Sequence, residues 1–218
     1  MSQAAQLEQG LAVLGLVLPA SVQTRLLAYV ALLYKWNKTY SLTALREQDK
    51  AVSHHVLDSL AVLPFVSQGR LLDVGSGGGM PGIPLAIVRP ELHVTLLDSN
   101  SKKAAFLQQA AIELALPNIS VHGGRVEQYH PAEGFAAITS RAFAELSDFV
   151  ALSQHMLAPD GCWLAMKGQW PYDEIDRLPE SARVDAVHRL QVPGVDGERH
   201  LVVLKRADEQ LRGSSGRN

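Results

Sequence analysis

The sequence predicts an α/β fold, with a mostly parallel, twisted sheet, an antiparallel hairpin at its C-terminal end and a helical extension at the N-terminus. Three observations support this prediction. Apolar residues recur at helical spacing before residue 69, strand-like and helix-like segments alternate from residue 70, and an Asp-Gly pair separates the last two strand-like segments. Strands that alternate with helices are typical of parallel sheets, and Asp-Gly between strands is typical of hairpins.

These patterns also suggest how the chain is divided. We expect a helical extension over residues 1–69, a sheet domain over 70–206 and a disordered tail over 207–218, which is polar and rich in Gly and Ser. The length of 218 residues suits one large domain with a small extension. No internal repeat is evident in the sequence.

Composition limits the classes of function that the chain can have. The hydrophobic fraction of 47% and the charged fraction of 19% are ordinary for a soluble globular protein. The formal net charge of -2 excludes a strongly basic nucleic-acid coat, so any RNA contact must come from a local patch of Lys and Arg. The single cysteine, Cys162, allows no intramolecular disulfide, which is typical of a reducing cytoplasm.

Apolar stretches near the start of the chain are too short to anchor it in a membrane. The stretch Leu11–Leu18 falls far short of the ~20 residues that a membrane span needs, and no basic leader precedes it. We therefore expect a cytoplasmic protein without a membrane partner. A monomer is expected, because no unusually apolar surface segment is evident.

The first 64 residues are predicted to be mainly helical. Leucines recur at helical spacing before Pro19 and again over Leu26–Leu33, which indicates two amphipathic helices. The stretch Trp36–Thr43 is polar and aromatic without helical periodicity, so it is predicted to be a loop. The segment His54–Leu60 is predicted to resume a helix.

Two adjacent histidines occur in that last helical segment. Adjacent helical residues point about 100° apart, so His54 and His55 are poorly placed to share a metal. His55 and Asp58 are three residues apart and can touch on one helical face. We interpret them as a structural hydrogen-bonded pair rather than as catalytic groups, with a position close to a cofactor as the alternative.

Strands and helices alternate over the rest of the chain. The expected strands are 71–74, 93–97, 119–122, 135–139, 162–166, 184–192 and 200–205. The expected helices between them are 82–89, 101–115 and 144–157. Such units are right-handed and place their strands in parallel. The Asp-Gly pair at 196–197 should make the last strand antiparallel to its neighbour.

A glycine-rich turn follows the first strand, between Leu71 and Pro84. Glycines at the start of a helix let backbone N–H groups approach a ligand with no side chains in the way, so Gly75 and Gly77 are expected to bind a cofactor. The residues 77–82 match the literal GxGxxG pattern of dinucleotide enzymes, but two residues too late for a turn directly after the strand. In the earlier register Met80 takes the third glycine position, where it would crowd helix–strand packing.

An acid ends the second strand. Asp98 lies 23 residues after Gly75, where a carboxylate can accept hydrogen bonds from both ribose hydroxyls of an adenosine cofactor. The alternative is that Asp98 or Ser99 merely caps the helix that starts near Ser101. The pairing of a glycine turn with this acid favours the ribose role. Asp73, at the end of the first strand, is expected either to support the loop or to contact the amine of the cofactor.

Charged residues follow several other strands at the same edge of the sheet. Ligands of open α/β sheets bind outside the carboxyl ends of the strands. The residues expected there are Val126, Glu127, Arg141, Lys167, Gly168, Arg199 and His200. The last two begin the final strand, which starts at this edge because the strand before it runs parallel to the others. Each charge alone is typical of a solvated loop, but their common edge indicates a binding site.

Four segments resemble the motifs of one known family. They are Val74–Leu85, Leu97–Ser99, Ser140–Ala142 and Asp196–His200. Together they closely resemble the bacterial small-subunit rRNA guanine-N7 methyltransferases (RsmG, also called GidB), and the resemblance extends from about Ala31 to Lys205. It implies the Rossmann-like fold of class I S-adenosylmethionine (SAM) methyltransferases. It also implies methylation of N7 of one guanine in the decoding-region loop of 16S rRNA.

The resemblance also implies roles for individual residues. SAM contacts carry over onto Gly75, Met80, Val126, Glu127 and Arg141. One departure is Gly78, where proline is common in the family, and the extra glycine is expected to loosen the turn without changing its function.

Basic residues are assigned to the RNA side of the site. Arg199, Lys167 and His200 are expected to orient the RNA, and Arg141 to bridge cofactor and base. Additional phosphate contacts are expected from Lys35, Lys38 and Arg46. These are too few for tight binding of naked RNA, which indicates a 30S particle or an assembly intermediate as the substrate.

Three other functions fit parts of the pattern. A NAD(P)-dependent oxidoreductase would account for the literal GxGxxG, and a SAM methyltransferase acting on a small molecule would account for the cofactor loop. A catalytically silent RNA-binding protein could also retain the fold.

Overall fold

Seven strands form one mixed sheet in the computed structural model, which describes residues 1–141 and 145–207. The strands are β1 (Arg70–Val74), β2 (His93–Asp98), β3 (Ile119–Gly123), β4 (Phe135–Arg141), β5 (Leu157–Lys167), β6 (Ala182–Arg189) and β7 (His200–Arg206). Their order across the sheet is β3-β2-β1-β4-β5-β7-β6. Only β7 is antiparallel to its neighbours β5 and β6. The predicted parallel sheet with a C-terminal antiparallel hairpin is therefore confirmed.

Helices cover the sheet and form the N-terminal extension. They are α1 (Gln3–Val13), α2 (Ala20–Tyr40), α3 (Asp58–Leu60), α4 (Gly82–Val88), α5 (Ser101–Glu113), α6 (Leu146–Ser153) and α7 (Tyr172–Asp176). A π-helical turn, Val52–Leu57, leads directly into α3. No helix within the described residues is long and apolar enough to cross a membrane.

Helix α2 extends further than the sequence predicts. The predicted loop at 36–43 is wrong over Trp36–Tyr40, which is helical, and the helix ends at Ser41 with a φ of 50°. Packing explains the difference, because the Trp36 ring lies 5.7 Å from the Phe106 ring of α5 and 5.3 Å from the Tyr40 ring. Aromatic contacts of this kind stabilise a helical turn whose sequence lacks an amphipathic pattern.

The hydrophobic core lies on both faces of the sheet. Successive residues of β1 point to opposite faces, so Leu71 packs on one side while Leu72 and Val74 pack with Trp163 on the other. Helices α1 and α2 contribute to the same apolar cluster as Leu71 and Phe106. The extension therefore shares its core with the sheet, and this packing brings α2 against the start of α4.

The connection between β6 and β7 is longer than a tight hairpin. The expected strand 184–192 ends at Arg189, and residues 190–199 form the connection, with positive φ at Gly194 and Gly197. Val192, which the expected strand included, lies in this connection, and its side chain is buried in the same apolar cluster as the helices of the extension. Strand β5 begins at Leu157 rather than at 162, through a bulge opposite Phe135.

Two sequence predictions involve residues outside the described part of the chain. They are the tail from residue 208 onward and Ala142 of the Ser140–Ala142 motif.

Candidate functional site

Two cavities open at the carboxyl edge of the parallel strands and share Gly75 in their walls. The larger has a volume of about 600 Å³, and we call it the acceptor cavity. The smaller, of about 310 Å³, is the adenosine cavity. Their positions on either side of the glycine turn are those expected for an elongated ligand that crosses the turn.

The residues that the sequence places at the carboxyl edge of the sheet line these two cavities. Asp73, Lys35, Lys38 and Arg46, which were also predicted to contribute, line neither of them. The acceptor cavity is lined by Gly75, Gly77, Met80, Arg141, Lys167, Gly168, Arg199 and His200. The adenosine cavity is lined by Gly75, Asp98, Val126 and Glu127. The structure thus brings together groups that are up to 125 residues apart in the chain.

The backbone of the glycine turn adopts a conformation that residues with a Cβ atom rarely take. Gly75, Gly77 and Gly79 have φ values of 67°, 56° and 86°, in the left-handed region where glycine is preferred. A Cβ atom at Gly77 would meet no neighbour closer than the Gly75 carbonyl oxygen, at 3.8 Å. This position therefore opens into the acceptor cavity, and a side chain there would fill room that a ligand needs.

Asp98 ties this turn to the next strand. Its Oδ2 accepts a hydrogen bond from the Gly77 N–H at 2.8 Å, and its Oδ1 accepts from the Asn100 N–H at 2.9 Å. Helix α5 is capped by Asn100, whose side chain accepts from Lys102 and Lys103. The alternative role of Asp98 as the cap is therefore wrong, and its carboxylate lies between the turn and the adenosine cavity.

Asp73 supports the turn through a hydrogen bond to the residue at which the turn enters α4. Its Oδ2 accepts from the Gly82 N–H at 3.0 Å, at the start of α4, and the residue is fully buried. Burial raises the pKa of Asp73 to about 7, against the opposing effects of the Gly82 hydrogen bond and Arg141. Its Oδ1 is buried without a hydrogen-bond partner among the described residues. The contact with Gly82 favours the supporting role predicted for this side chain.

The N-terminal extension also fixes the glycine turn. The Tyr29 hydroxyl of α2 donates to the Gly78 carbonyl at 2.6 Å and is fully buried, which raises its pKa. A Cβ atom at Gly78 would lie 2.9 Å from both Leu33 and Met80. Side chains therefore enclose this position. That the additional glycine loosens the turn without changing its function stays a prediction.

One carboxylate from the extension holds two arginines of the acceptor cavity. Asp58, whose side chain is 5% exposed, accepts from Arg141 Nη1 at 3.2 Å through Oδ2 and from Arg199 Nε at 3.1 Å through Oδ1. Arg141 also donates to the His54 carbonyl at 2.9 Å and to Met80 Sδ at 3.1 Å. Arg141 is thereby fixed between the extension and the glycine turn. We call Asp58, Arg141 and Arg199 the arginine fork.

The fork replaces the contact that the sequence predicted for Asp58. The His55–Asp58 pair is wrong, because the hydrogen bond of His55 Nε2 is to Thr43 Oγ1 at 3.2 Å. Burial and the nearby Arg141 lower the pKa of His55 to about 4. The π-helical turn rotates Asp58 relative to a regular helix, so a three-residue spacing does not bring the two side chains into contact.

The wall opposite the extension is formed by the end of β5 and the start of β7. Lys167 pairs with Glu174 of α7 at 2.7 Å, and the same Glu174 oxygen accepts from the Leu146 N–H at 2.8 Å. His200 is buried, and its ring stands edge-on to that of Trp170 at 5.5 Å. These contacts hold the basic wall rigid around the cavity.

Comparison with known proteins identifies the family. The family model described as rRNA small subunit methyltransferase G (GidB) matches residues 22–202. This chain belongs to the rRNA small subunit methyltransferase G family. Within the family it is 54% identical over 207 residues to a relative of the same description from Neisseria meningitidis serogroup C, covering 94% of this chain and 100% of the relative. It is 56% identical to one from Chromobacterium violaceum, over 91% of this chain and 95% of the relative.

Solved structures support the fold prediction. The N-methyltransferase NodS from Bradyrhizobium japonicum superposes with a TM-score of 0.55 at 17% identity, over 75% of this chain and all of NodS. Similarity at this level shows the fold alone. The Rossmann-like class I methyltransferase fold predicted from the sequence is therefore confirmed for this member of the rRNA small subunit methyltransferase G family.

The structure also reveals site residues that sequence reasoning missed. Leu42, Thr43, Ala44, Leu45 and Lys103 line the acceptor cavity, and Tyr29 and Asp58 act on it from the extension. This cavity-lining loop begins within the stretch 36–43, whose lack of helical periodicity was the available signal. Nothing in the local sequence pairs Tyr29 with Gly78 or Asp58 with Arg199, because those contacts depend on how α2 and the π-helical turn pack.

The hydrogen bond from Tyr29 leads to a first prediction. We expect Tyr29→Phe to lower the free energy of unfolding by about 1–3 kcal/mol, because the Gly78 carbonyl would be left buried without a donor. Affinity for S-adenosylhomocysteine should fall with it, as the turn loses its anchor. Chemical denaturation and calorimetry measure the two effects. Tyr34→Phe on the same helix is the control, since its bonds to Leu45 and Glu47 are longer, at 3.2 and 3.4 Å. Equal stabilities of the two variants would contradict this role.

The raised pKa of Asp73 leads to a second prediction. The folded protein holds a proton on this carboxyl between about pH 4 and pH 7, where the unfolded chain does not, so its contribution to stability is lost as the pH rises through about 7. His55, whose folded pKa is lowered, acts in the opposite direction.

Comparison with an Asp73→Asn variant isolates this effect. Relative to the variant, the wild type should lose a few kcal/mol of unfolding free energy between pH 4 and pH 8, since one pKa unit corresponds to about 1.4 kcal/mol. Urea denaturation of both proteins across this range gives the difference. Parallel pH curves would show that Asp73 does not titrate there.

Proposed function

We propose that this chain is a SAM-dependent methyltransferase that methylates N7 of one guanine in the decoding-region loop of 16S rRNA. The observation that carries the proposal is the arginine fork. It places two guanidinium groups in the acceptor cavity, next to a glycine turn suited to an adenosine cofactor. Family membership supports small-subunit rRNA as the substrate.

The residues around the glycine turn fit SAM. Gly77 leaves open the room that a side chain would take, and Asp98 and Glu127 bring carboxylates to the adenosine cavity. We assign the ribose to Asp98 and the adenine to the wall formed by Val126 and Glu127. Gly75, Met80 and Arg141 are assigned to the methionine end. Met80 argues against a dinucleotide, because it occupies the position where such enzymes need a glycine for close packing.

Bound SAM would supply an electrophilic methyl group. N7 of guanine carries a lone pair that is unprotonated at neutral pH, so no side chain needs to remove a proton. The residues of the acceptor cavity have to orient the base so that N7, and no other atom of the base, faces the methyl group. Orientation of this kind can contribute about 7–11 kcal/mol toward the barrier.

The arginine fork is suited to that task. A guanidinium that donates to guanine O6 leaves N7 free, whereas one that donates to N7 would block the reaction. We assign this contact to Arg199, with Lys167 and His200 on the same wall and Arg141 between cofactor and base. The carboxylate of Asp58 offsets part of the positive charge of these two guanidinium groups and fixes their positions.

The wider RNA contact involves the extension. Lys35 and Lys38 on α2 and Arg46 after it are exposed, and we assign them to phosphates. Because the formal net charge is -2, three such contacts are too few for tight binding of naked RNA. We infer that a monomer acts in the cytoplasm on a 30S particle or assembly intermediate. In this proposal residues 1–69 are an extension that completes the site of the 70–206 domain.

A labelled-methyl assay tests this function. Purified protein with methyl-labelled SAM should label 16S rRNA in unmethylated 30S particles, more weakly label free 16S rRNA, and leave free nucleotides unlabelled. Labelling of nucleotides or other small molecules instead would favour a small-molecule methyltransferase. Binding of NAD in preference to S-adenosylhomocysteine in calorimetry would favour an oxidoreductase. Binding of S-adenosylhomocysteine without label entering any RNA would refute the proposal.

A further inference from the structure

Two aromatic side chains are exposed beside the acceptor cavity without a role in the site described above. Trp170 is 38% exposed and Tyr172 is 69% exposed, which is unusual for side chains of this size. Their rings lie 5.6 Å apart at an interplanar angle of 33°. Both follow β5 directly, after Lys167 and Gly168, which line the cavity.

The surroundings of this aromatic pair hold it in place. Trp170 contacts the buried His200 ring edge-on, and His200 itself lines the cavity. Tyr172 opens α7, where its N–H donates to the Trp170 carbonyl at 3.1 Å. The ion pair between Lys167 and Glu174 ties α7 to the end of β5. The Trp170 ring and the backbone of Tyr172 are therefore held beside the cavity by contacts within the protein.

The chemistry of this part of the surface matches an unpaired RNA base. Bases of single-stranded RNA stack on exposed aromatic rings, and neighbouring cations contact the adjoining phosphates. Lys167 and Arg199 provide positive charge on the same wall. A base that reaches the acceptor cavity must leave its own stack, which exposes the faces of the nucleotides next to it.

We propose that Trp170 and Tyr172 form a stacking platform for an unpaired base adjacent to the guanine that is methylated. This proposal rests on the proposed function and adds the element that selects a single-stranded segment. The occupant is a nucleobase of the substrate RNA, and the platform contributes to RNA binding without touching the cofactor.

Substitution of the platform tests the proposal. Trp170→Leu combined with Tyr172→Leu should raise the KM for 30S particles about tenfold or more in the labelled-methyl assay. Affinity for S-adenosylhomocysteine should stay unchanged, which also shows that the variant is folded. Trp170→Phe alone should keep most of the affinity, since a phenyl ring still stacks. Ile112→Ala, which removes an exposed apolar side chain near the C-terminal end of α5, is the control.

An RNA change locates the stacked base. A 16S rRNA fragment with an abasic site next to the target guanine should be methylated more weakly by the wild type. The double leucine variant should show no further loss on that fragment, because the two changes remove the same contact. An unchanged KM in the double variant would overturn the platform. So would a loss seen with 30S particles but absent with naked RNA, which would indicate a ribosomal protein as the occupant. If the wild type labels no RNA at all, it is the proposed function that is refuted, and not the stacking platform alone.

Discussion

Arg199→Ala is expected to bind S-adenosylhomocysteine as the wild type does while losing methyl transfer by about 10²-fold. Arg199 contacts Asp58 and its neighbour Glu198, and none of its described hydrogen bonds reaches the glycine turn. The substitution should therefore slow methyl transfer because the base is oriented less well, while the cofactor still binds. Calorimetry measures the cofactor affinity, and single-turnover transfer to 30S particles measures the chemical step.

A matched arginine serves as the control for this variant. Arg183→Ala removes an arginine that pairs with Asp185 at 3.1 Å, as Arg199 pairs with Asp58, but at the opposite end of the sheet. It should transfer methyl groups at the wild-type rate. If Arg199→Ala abolished cofactor binding, the assignment of Arg199 to the base and of the glycine turn to the cofactor would be wrong.

Asp58→Ala is expected to have the broadest effect of the substitutions considered. It would leave Arg141 and Arg199, with side chains only 24% and 29% exposed, without their shared carboxylate. Removing one partner of a buried ion pair costs about 3–5 kcal/mol of stability, and here two partners are released. Cofactor affinity should also fall, since Arg141 loses its anchor beside Met80. Transfer should fall below the level of Arg199→Ala.

Asp58→Asn separates the charge from the shape of this side chain. The amide keeps one acceptor oxygen, so the fold should persist while one arginine is released. Combining Asp58→Asn with Arg199→Ala should add little to the larger single effect, because both act on one fork. Asp185→Asn is the control, since this carboxylate also holds two cations, Arg183 and Lys205, but at the surface, where ion pairs contribute less than about 1 kcal/mol. Strictly additive effects would show that Asp58 does not couple the two arginines.

The sequence was sufficient to predict much of the sheet edge. Strand-ending acids and a glycine turn obey simple rules, because backbone geometry and topology place the carboxyl ends of parallel strands together. Asp98, Arg141 and Lys167 could therefore be assigned to one edge from their positions alone. The antiparallel last strand was likewise predicted from the Asp-Gly signal, although the connection proved longer.

The contributions of the extension could not be predicted in the same way. Tyr29, Asp58 and the loop after α2 reach the site through packing between segments 49 to 141 residues apart. The local pattern around Asp58 even favoured a different partner, His55, because spacing in a regular helix takes no account of a π-helical turn. The loop predicted at Trp36 failed for a related reason, since its helical form depends on a contact with Phe106 of α5.

The position of the added methyl group tests the central claim most directly, namely that the site orients a base and does not need to deprotonate it. After reaction with 30S particles, the 16S rRNA can be reduced with borohydride and cleaved with aniline, which breaks the strand at 7-methylguanosine. We predict cleavage at a single guanine in the decoding-region loop, with all of the label in that nucleoside. Label on a ribose oxygen, or on a base nitrogen that carries a proton, would require a general base and would contradict this account.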